Sequence, residues 1–153
     1  KLSMEQYGTT MPDNYLTNTE KPTVSHNNDP RGHAYTISNT VAVAWNDNNE
    51  EENLQRIITQ KWIANFPLSC EAWAEYRRTG YPKLFPNRVN LSNGDINTNE
   101  QVRRLIYSDT EINTNNAELQ KGIELLNQEN TGSISGDKGG THVWWDKAGV
   151  GNF

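Results

Sequence analysis

A proline corner at Phe66-Pro67, set between two apolar-faced runs, constrains this chain more than any other feature. Upstream of it Leu54, Ile57, Ile58, Trp62, Ile63 and Phe66 recur at three- and four-residue steps, which is one face of a 3.6-residue helix. Asn49 followed by Glu52 reads as a capping box at the start. Pro67 ends the run because it lacks an N–H and clashes with the carbonyl four residues back. The pattern predicts a helix over residues 50–66. Downstream, Leu68, Ala72, Trp73 and Tyr76 share a face, which predicts a second helix from Ser69 to Thr79. Gly80 stands where a left-handed residue closes a helix, and Pro82 follows. Two such helices form an αα unit in which each covers the other. Trp62 and Trp73 are its natural contact, with Tyr76 beside them, and all three are expected in the core.

Composition limits the rest. The chain has 153 residues, enough for one domain with its own core. Yet 33% of it is hydrophobic and mean hydropathy is −0.88, a lean core for that length. Such a chain carries much loop, or completes its core against another surface. A net charge of −5 argues against nucleic acid, which calls for a basic face. No apolar run approaches membrane-spanning length. One cysteine, Cys70, excludes an internal disulfide. Leu68-Ser69-Cys70 has a faint likeness to a lipoprotein acceptor site, but no hydrophobic signal region precedes it, so Cys70 is expected as a small buried helix residue.

The stretch Leu2 to Tyr7 reads as the tail of a helix stopped by Gly8, which makes the chain the later part of a longer protein. Residues 9–48 read mostly as loop, with a helical turn at Pro12-Asp13-Asn14, a turn cluster at Asn27 to Pro30, and an extended segment or short strand from Tyr35 to Trp45. Residues 83–101 are loop and Val102 to Tyr107 extended, Leu105 and Tyr107 facing one way, Arg104 and Ile106 the other. Asn115 with Glu118 predicts a second capping box, opening a helix to about Asn127 whose face is Leu119, Ile123 and Leu126. Gly122 inside it costs about 1 kcal/mol against Ala, which points to a close neighbour. Gly132 to Gly140 reads as a flexible tract.

The candidate chemical groupings are weak. Glu71 and Glu75 sit four apart on one helix, whereas glycosidase carboxylates flank a sugar bond from two sides of a cleft. Arg78 three residues beyond Glu75 makes an ion pair the simpler reading. His26, Asp29 and His33 fit no zinc spacing, so no metal is expected there. Asp95 to Asn99 begins like a calcium loop and then fails, with Glu100 where Gly is required. Arg77-Arg78 and Arg103-Arg104 read as structural, since guanidinium forks fix loops through several directional bonds. No cofactor is implied.

The run Gln60-Lys61-Trp62-Ile63-Ala64, Phe66-Pro67, and Glu71-Ala72-Trp73-Ala74-Glu75-Tyr76-Arg77-Arg78-Thr79-Gly80-Tyr81-Pro82 resembles the SusD/RagB family, starch-binding lipoproteins of the outer membrane. Arg103-Arg104-Leu105-Ile106-Tyr107, Asn115-Asn116 and Trp144-Trp145-Asp146 continue the likeness in the family's order over roughly residues 50–146. The resemblance implies a mostly α fold with long irregular loops. It makes residues 1–153 a single segment, the C-terminal portion of a SusD-like protein whose N-terminal half is a helical repeat of TPR type. It implies non-catalytic capture of glycan oligosaccharides on the cell-surface face of the outer membrane, and delivery to a SusC-type TonB-dependent transporter. Membrane attachment would come through an N-terminal lipid anchor that this chain lacks.

Sugar sites stack Trp or Tyr on pyranose rings beside polar side chains. Tyr35 and Trp45, outside strong helices and near Asn46, Asp47 and Asn48, are the candidate platform, held in place by the absent half. Trp62, Trp73, Tyr76, Arg77, Arg78, Trp144 and Trp145 are assigned to the structural core, with Trp144 or Trp145 pinning the tail. Two alternatives stay open: a small glycoside hydrolase or accessory domain, and a structural segment with all ligand contacts in the missing half.

Overall fold

The computed structural model describes residues 2–27, 30, 34–38, 40–87 and 89–146. The chain is helical with one small sheet. In order the elements are α1 (Leu2–Gln6), β1 (Thr23–His26), β2 (Tyr35–Ser38), α2 (Glu50–Ala64), α3 (Ser69–Thr79), α4 (Asp109–Thr114) and α5 (Asn116–Glu129). They fall into two compact units whose boundary lies within α3, between Trp73 and Ala74.

In the first unit α1 closes at Gly8, at φ +70°, where the Thr9 N–H and hydroxyl both donate to the Met4 carbonyl. Strands β1 and β2 pair antiparallel, His26 opposite Tyr35 and Thr23 opposite Ser38. Asn28 and Asp29 of the expected turn cluster lie outside the described residues, and β1 is a strand that its polar sequence did not advertise.

Asn49 caps α2, its side chain accepting from the Glu52 N–H at 3.0 Å. The helix ends at Ala64, with Asn65 as its C-cap. Its buried residues are Asn53, Gln55 and Ile58, while Ile57, Ile63 and Phe66 are exposed and Trp62 is 42% exposed. The expectation that Trp62 fills the core is thereby corrected. The cause is local. The Thr40–Asn46 segment lies along the first half of α2 and satisfies its amides. Gln55 Nε2 donates to Thr40 Oγ1 at 2.7 Å, and Asn53 exchanges bonds with the Asn46 backbone in both directions. Polar side chains with partners are cheap to bury, so the face that packs is not the most apolar one. Trp73, on α3, is half-buried, and Cys70 is exposed, against expectation. It sits in the first turn of α3, on a stretch from Leu68 to Glu71 that faces solvent throughout.

In the second unit α3 ends at Gly80, at φ +74°, as its position after the helix requires. Ser108 caps α4, a helix hidden from the sequence by its shortness, and Asn115 sits between α4 and α5. The capping box predicted at Asn115 does not form. Its amide turns back to Glu111 Oε2 at 3.1 Å and makes no cap bond to α5. Leu119 is buried, and the close neighbour sought for Gly122 is the Tyr107 hydroxyl, 3.2 Å from where a Cβ would stand.

Residues 102–107 are irregular, and their burial reverses the expected pattern. Arg103 and Arg104 are 2% and 9% exposed, whereas Leu105 and Ile106 are 76% and 61% exposed. The glycine tract is also not a tether. A Cβ on Gly132 would stand 2.2 Å from the His142 ring, and one on Gly140 would stand 2.7 Å from Ile134. These glycines let neighbouring groups approach closely.

Candidate functional site

Two places in the chain are built to hold side chains in fixed positions. The first is the turn that carries Trp45. Asn46 donates its N–H to Asn53 Oδ1 and accepts at its carbonyl from Asn53 Nδ2; its own side chain accepts from the Asn48 N–H at 3.1 Å. Upstream, Arg56 Nε donates to the Ala42 carbonyl at 3.0 Å, and the Ala44 N–H donates to the Asn18 carbonyl. Arg56 also reaches Glu52 and Asn53, and its guanidinium holds the Glu52 carboxyl below its usual range. From this braced turn Trp45 extends into solvent, 59% exposed. The turn is thus fixed by α2 of its own unit, which corrects the expectation that it depends on other parts of the protein. Tyr35 lies elsewhere in the unit, at the start of β2, with its ring 5.6 Å from that of His26.

The second place is a buried polar lattice in the second unit. Arg103 is at its centre. Its Nε donates to Asp146 Oδ2 at 2.7 Å, and Nη2 donates to Asp146 Oδ1. Nη1 donates to the Glu100 carbonyl at 3.1 Å, and Nη2 also to the Arg77 carbonyl at 3.1 Å. Arg77 returns a bond from Nη1 to the Arg103 carbonyl at 2.8 Å. The Arg103 guanidinium lies 5.1 Å over the Tyr76 ring, and that of Arg77 lies 4.6 Å over Trp145. Both contacts are cation–π in geometry. Burial pushes the Tyr76 phenol up from its ordinary value and pulls Arg77 down. Thr141, His142 and Asp146 have no exposed surface. His142 Nδ1 lies 3.1 Å from Asp146 Oδ1, though poorly aligned for a hydrogen bond, and Nε2 lies 3.3 Å from Glu100 Oε2. Arg104 pairs separately with Asp137 at 2.5 Å, and that carboxylate also accepts from the Tyr107 N–H.

Beside the lattice is a cleft of about 150 Å³, lined by Tyr76, Lys83, Leu84, Asn99, Glu100 and Arg103. Every guanidinium nitrogen of Arg103 already has a protein acceptor. The groups open to a ligand there are therefore those of Lys83, Asn99 and Glu100.

Of the residues the sequence assigned to the core, Tyr76, Arg77 and Trp145 come together at this lattice. Arg78 does not: its side chain is 54% exposed and pairs with Glu75 at 2.7 Å. It points from the outer side of α3, one residue round from Arg77. Trp144 is 72% exposed, so it pins nothing. The expected anchor is Trp145, stacked against Arg77, and the buried His142 and Asp146 hold the same stretch. Sequence reasoning missed both of these residues. Their signal was a four-residue spacing behind Gly139-Gly140, a pair that permits close backbone approach. Glu75 pairs with Arg78 on the same helix, and Glu71 is exposed. Among the described residues no group of three His, Cys, Asp or Glu side chains is placed to hold a metal ion. Asp29 and His33 lie outside the described residues.

The family model for the Susd and RagB outer membrane lipoproteins matches residues 1–146. A SusD homologue from Bacteroides thetaiotaomicron is 44% identical, with a TM-score of 0.77 over 96% of this chain and 31% of its own. One from Bacteroides ovatus is 41% identical, with a TM-score of 0.79 over 95% of this chain and 30% of its own. A chitin-binding SusD homologue from Flavobacterium johnsoniae is 40% identical, with a TM-score of 0.78 over 99% of this chain and 30% of its own. The chain thus spans under a third of the length of these solved relatives. No curated protein matches it.

Proposed function

The chain belongs to the SusD-like family of outer membrane lipoproteins, and on that footing we propose that it is part of a non-catalytic receptor that captures glycans at the cell surface. The observation that carries this reading is Trp45, an indole 59% exposed on a turn braced by Asn46, Asn53 and Arg56. A flat ring held in place stacks on a pyranose without first having to be ordered, and ordering on binding costs affinity. Asp47 and Asn48 beside it can meet sugar hydroxyls. Tyr35 is a second candidate contact on the same unit. The resemblance to a chitin-binding relative makes chito-oligosaccharides the first ligands to try.

Within the same proposal the chain is the C-terminal portion of its protein. A helical repeat of TPR type forms the rest and covers the apolar end of α2, where Ile57, Trp62, Ile63 and Phe66 face outward. The receptor sits on the outer face of the outer membrane through a lipid anchor and passes its cargo to a SusC-type transporter. No helix among the described residues is long and apolar enough to cross a membrane.

Calorimetric titration of the intact protein with a panel of oligosaccharides, chitin fragments and starch fragments included, tests the reading. Trp45→Ala is expected to lower affinity by about 1–3 kcal/mol, the scale of losing one stacked ring as known for bases on aromatic side chains. Unchanged binding in Trp45→Ala removes that residue from the site and leaves this chain with a structural role.

A further inference from the structure

The His142 ring has no exposed surface, and each of its nitrogens faces a carboxylate. Ionised carboxylates accept hydrogen bonds and cannot donate them. A neutral imidazole carries one N–H, so one of its nitrogens would aim a lone pair at an oxygen anion about 3 Å away. The imidazolium, with two N–H groups, suits both. The cations of the lattice, Arg103 and Arg77, bond to Asp146 and to each other's carbonyls and leave Glu100 to the ring. The Arg103 charge also acts on the ring. Gly132 packs against its edge, and Asn130 Oδ1 accepts from the His142 backbone N–H at 3.1 Å.

The two carboxylates differ in what they can do when the proton leaves. Asp146 is fully buried and is held by two bonds from Arg103, so it stays. The Glu100 side chain is 34% exposed and lines the cleft, so it can turn to water at small cost. We infer that His142 is a buried imidazolium bridging Asp146 and Glu100, and that its proton fastens the Glu100 wall of the cleft. The lattice is then a pH-sensitive latch.

The charge on the ring sets the sense of the switch. Burial pulls the imidazole pKa down, but the nearby carboxylates of Asp146 and Glu100 outweigh it and raise it above the ordinary 6.5; the Arg103 charge opposes them. A raised folded value means that the contribution of His142 to stability is complete below 6.5 and is lost as pH rises through the folded value. Asp146 behaves in the opposite sense. Burial raises its pKa, but the nearby His142 and the bonds from Arg103 outweigh that and take it below 3.8. Its contribution is complete above 3.8 and is lost as pH falls through the folded value. The lattice is therefore fully fastened between about 3.8 and 6.5 and opens on the alkaline side through Glu100.

The test is ¹⁵N spectroscopy of the histidine-labelled protein, with His142→Gln used to identify the His142 signals. At pH 6.5 both nitrogens of His142 should carry protons, and its titration midpoint should lie above 6.5. Glu100→Gln, at a partly exposed position that tolerates the change, should lower that midpoint. The urea midpoint of the native protein should fall as pH is raised from 6 to 9, and fall less in Glu100→Gln. A bare ring nitrogen at pH 6.5, or a titration midpoint indifferent to Glu100→Gln, overturns the inference.

Discussion

Asp146 is a fully buried carboxylate at the centre of the second unit's polar lattice. It takes two bonds from Arg103 and faces His142, all three at 2% exposure or less. Removing one partner of a buried ion pair leaves the other charge without compensation, which costs about 3–5 kcal/mol. Asp146→Ala is therefore expected to destabilise by about that much in urea titration. The double variant Asp146→Ala with Arg103→Met should lose less than the sum of the two single changes, because it strands no charge. A result in which the two effects simply add would show the pair to be uncoupled. The sequence foretold part of this. Arginine pairs in an acidic chain read as loop-fixing forks, and Arg103 and Arg104 are that. It did not foretell their partners. Asp146 lies 43 residues from Arg103, and no local pattern links residues that far apart.

At the level of elements, α2, α3 and the body of α5 were legible because each repeats its apolar residues at helical spacing over two turns or more. The ends were read with mixed success, and Asn49 and Asn115 show why. Each is followed three residues later by a glutamate, and each looks like a cap. Asn49 has an extended backbone and reaches the Glu52 N–H. Asn115 closes α4 as well as opening α5, and Glu111 claims its amide. The competing helix was too short to leave a period. Asn49→Ala should thus cost about 1 kcal/mol, while Asn115→Ala should change stability by a few tenths. Thermal unfolding of the two variants side by side checks the contrast, and equal losses would contradict it. Strand β1 was illegible for a different reason: all four of its residues are exposed, so burial imposed no alternation on the sequence.

Over the whole molecule, the lean composition is answered by polar groups that bond to one another. In the first unit Asn53 and Gln55 pack α2 where aliphatic residues were expected. In the second, Arg103, Thr141, His142 and Asp146 are the largest fully buried side chains. The family likeness was legible because its motifs keep their order, while the site was less so. Trp45 could be picked out as lying off the helices, but the support it receives from Asn53 and Arg56 depends on a fold that brings residues 42–46 against α2. A core of this kind also has a thermal signature. Exposing apolar surface raises heat capacity by about 0.45 cal/K/mol/Å², whereas exposing polar surface lowers it by about 0.26. Unfolding this chain should therefore take up less than the usual 12–15 cal/mol/K per residue, roughly the range for globular proteins. Differential scanning calorimetry measures that increment directly, and a value inside the usual range would count against the polar core. The smaller the increment, the flatter the curve of stability against temperature. A chain built in this way would lose little of its stability between a cold surface and a warm one.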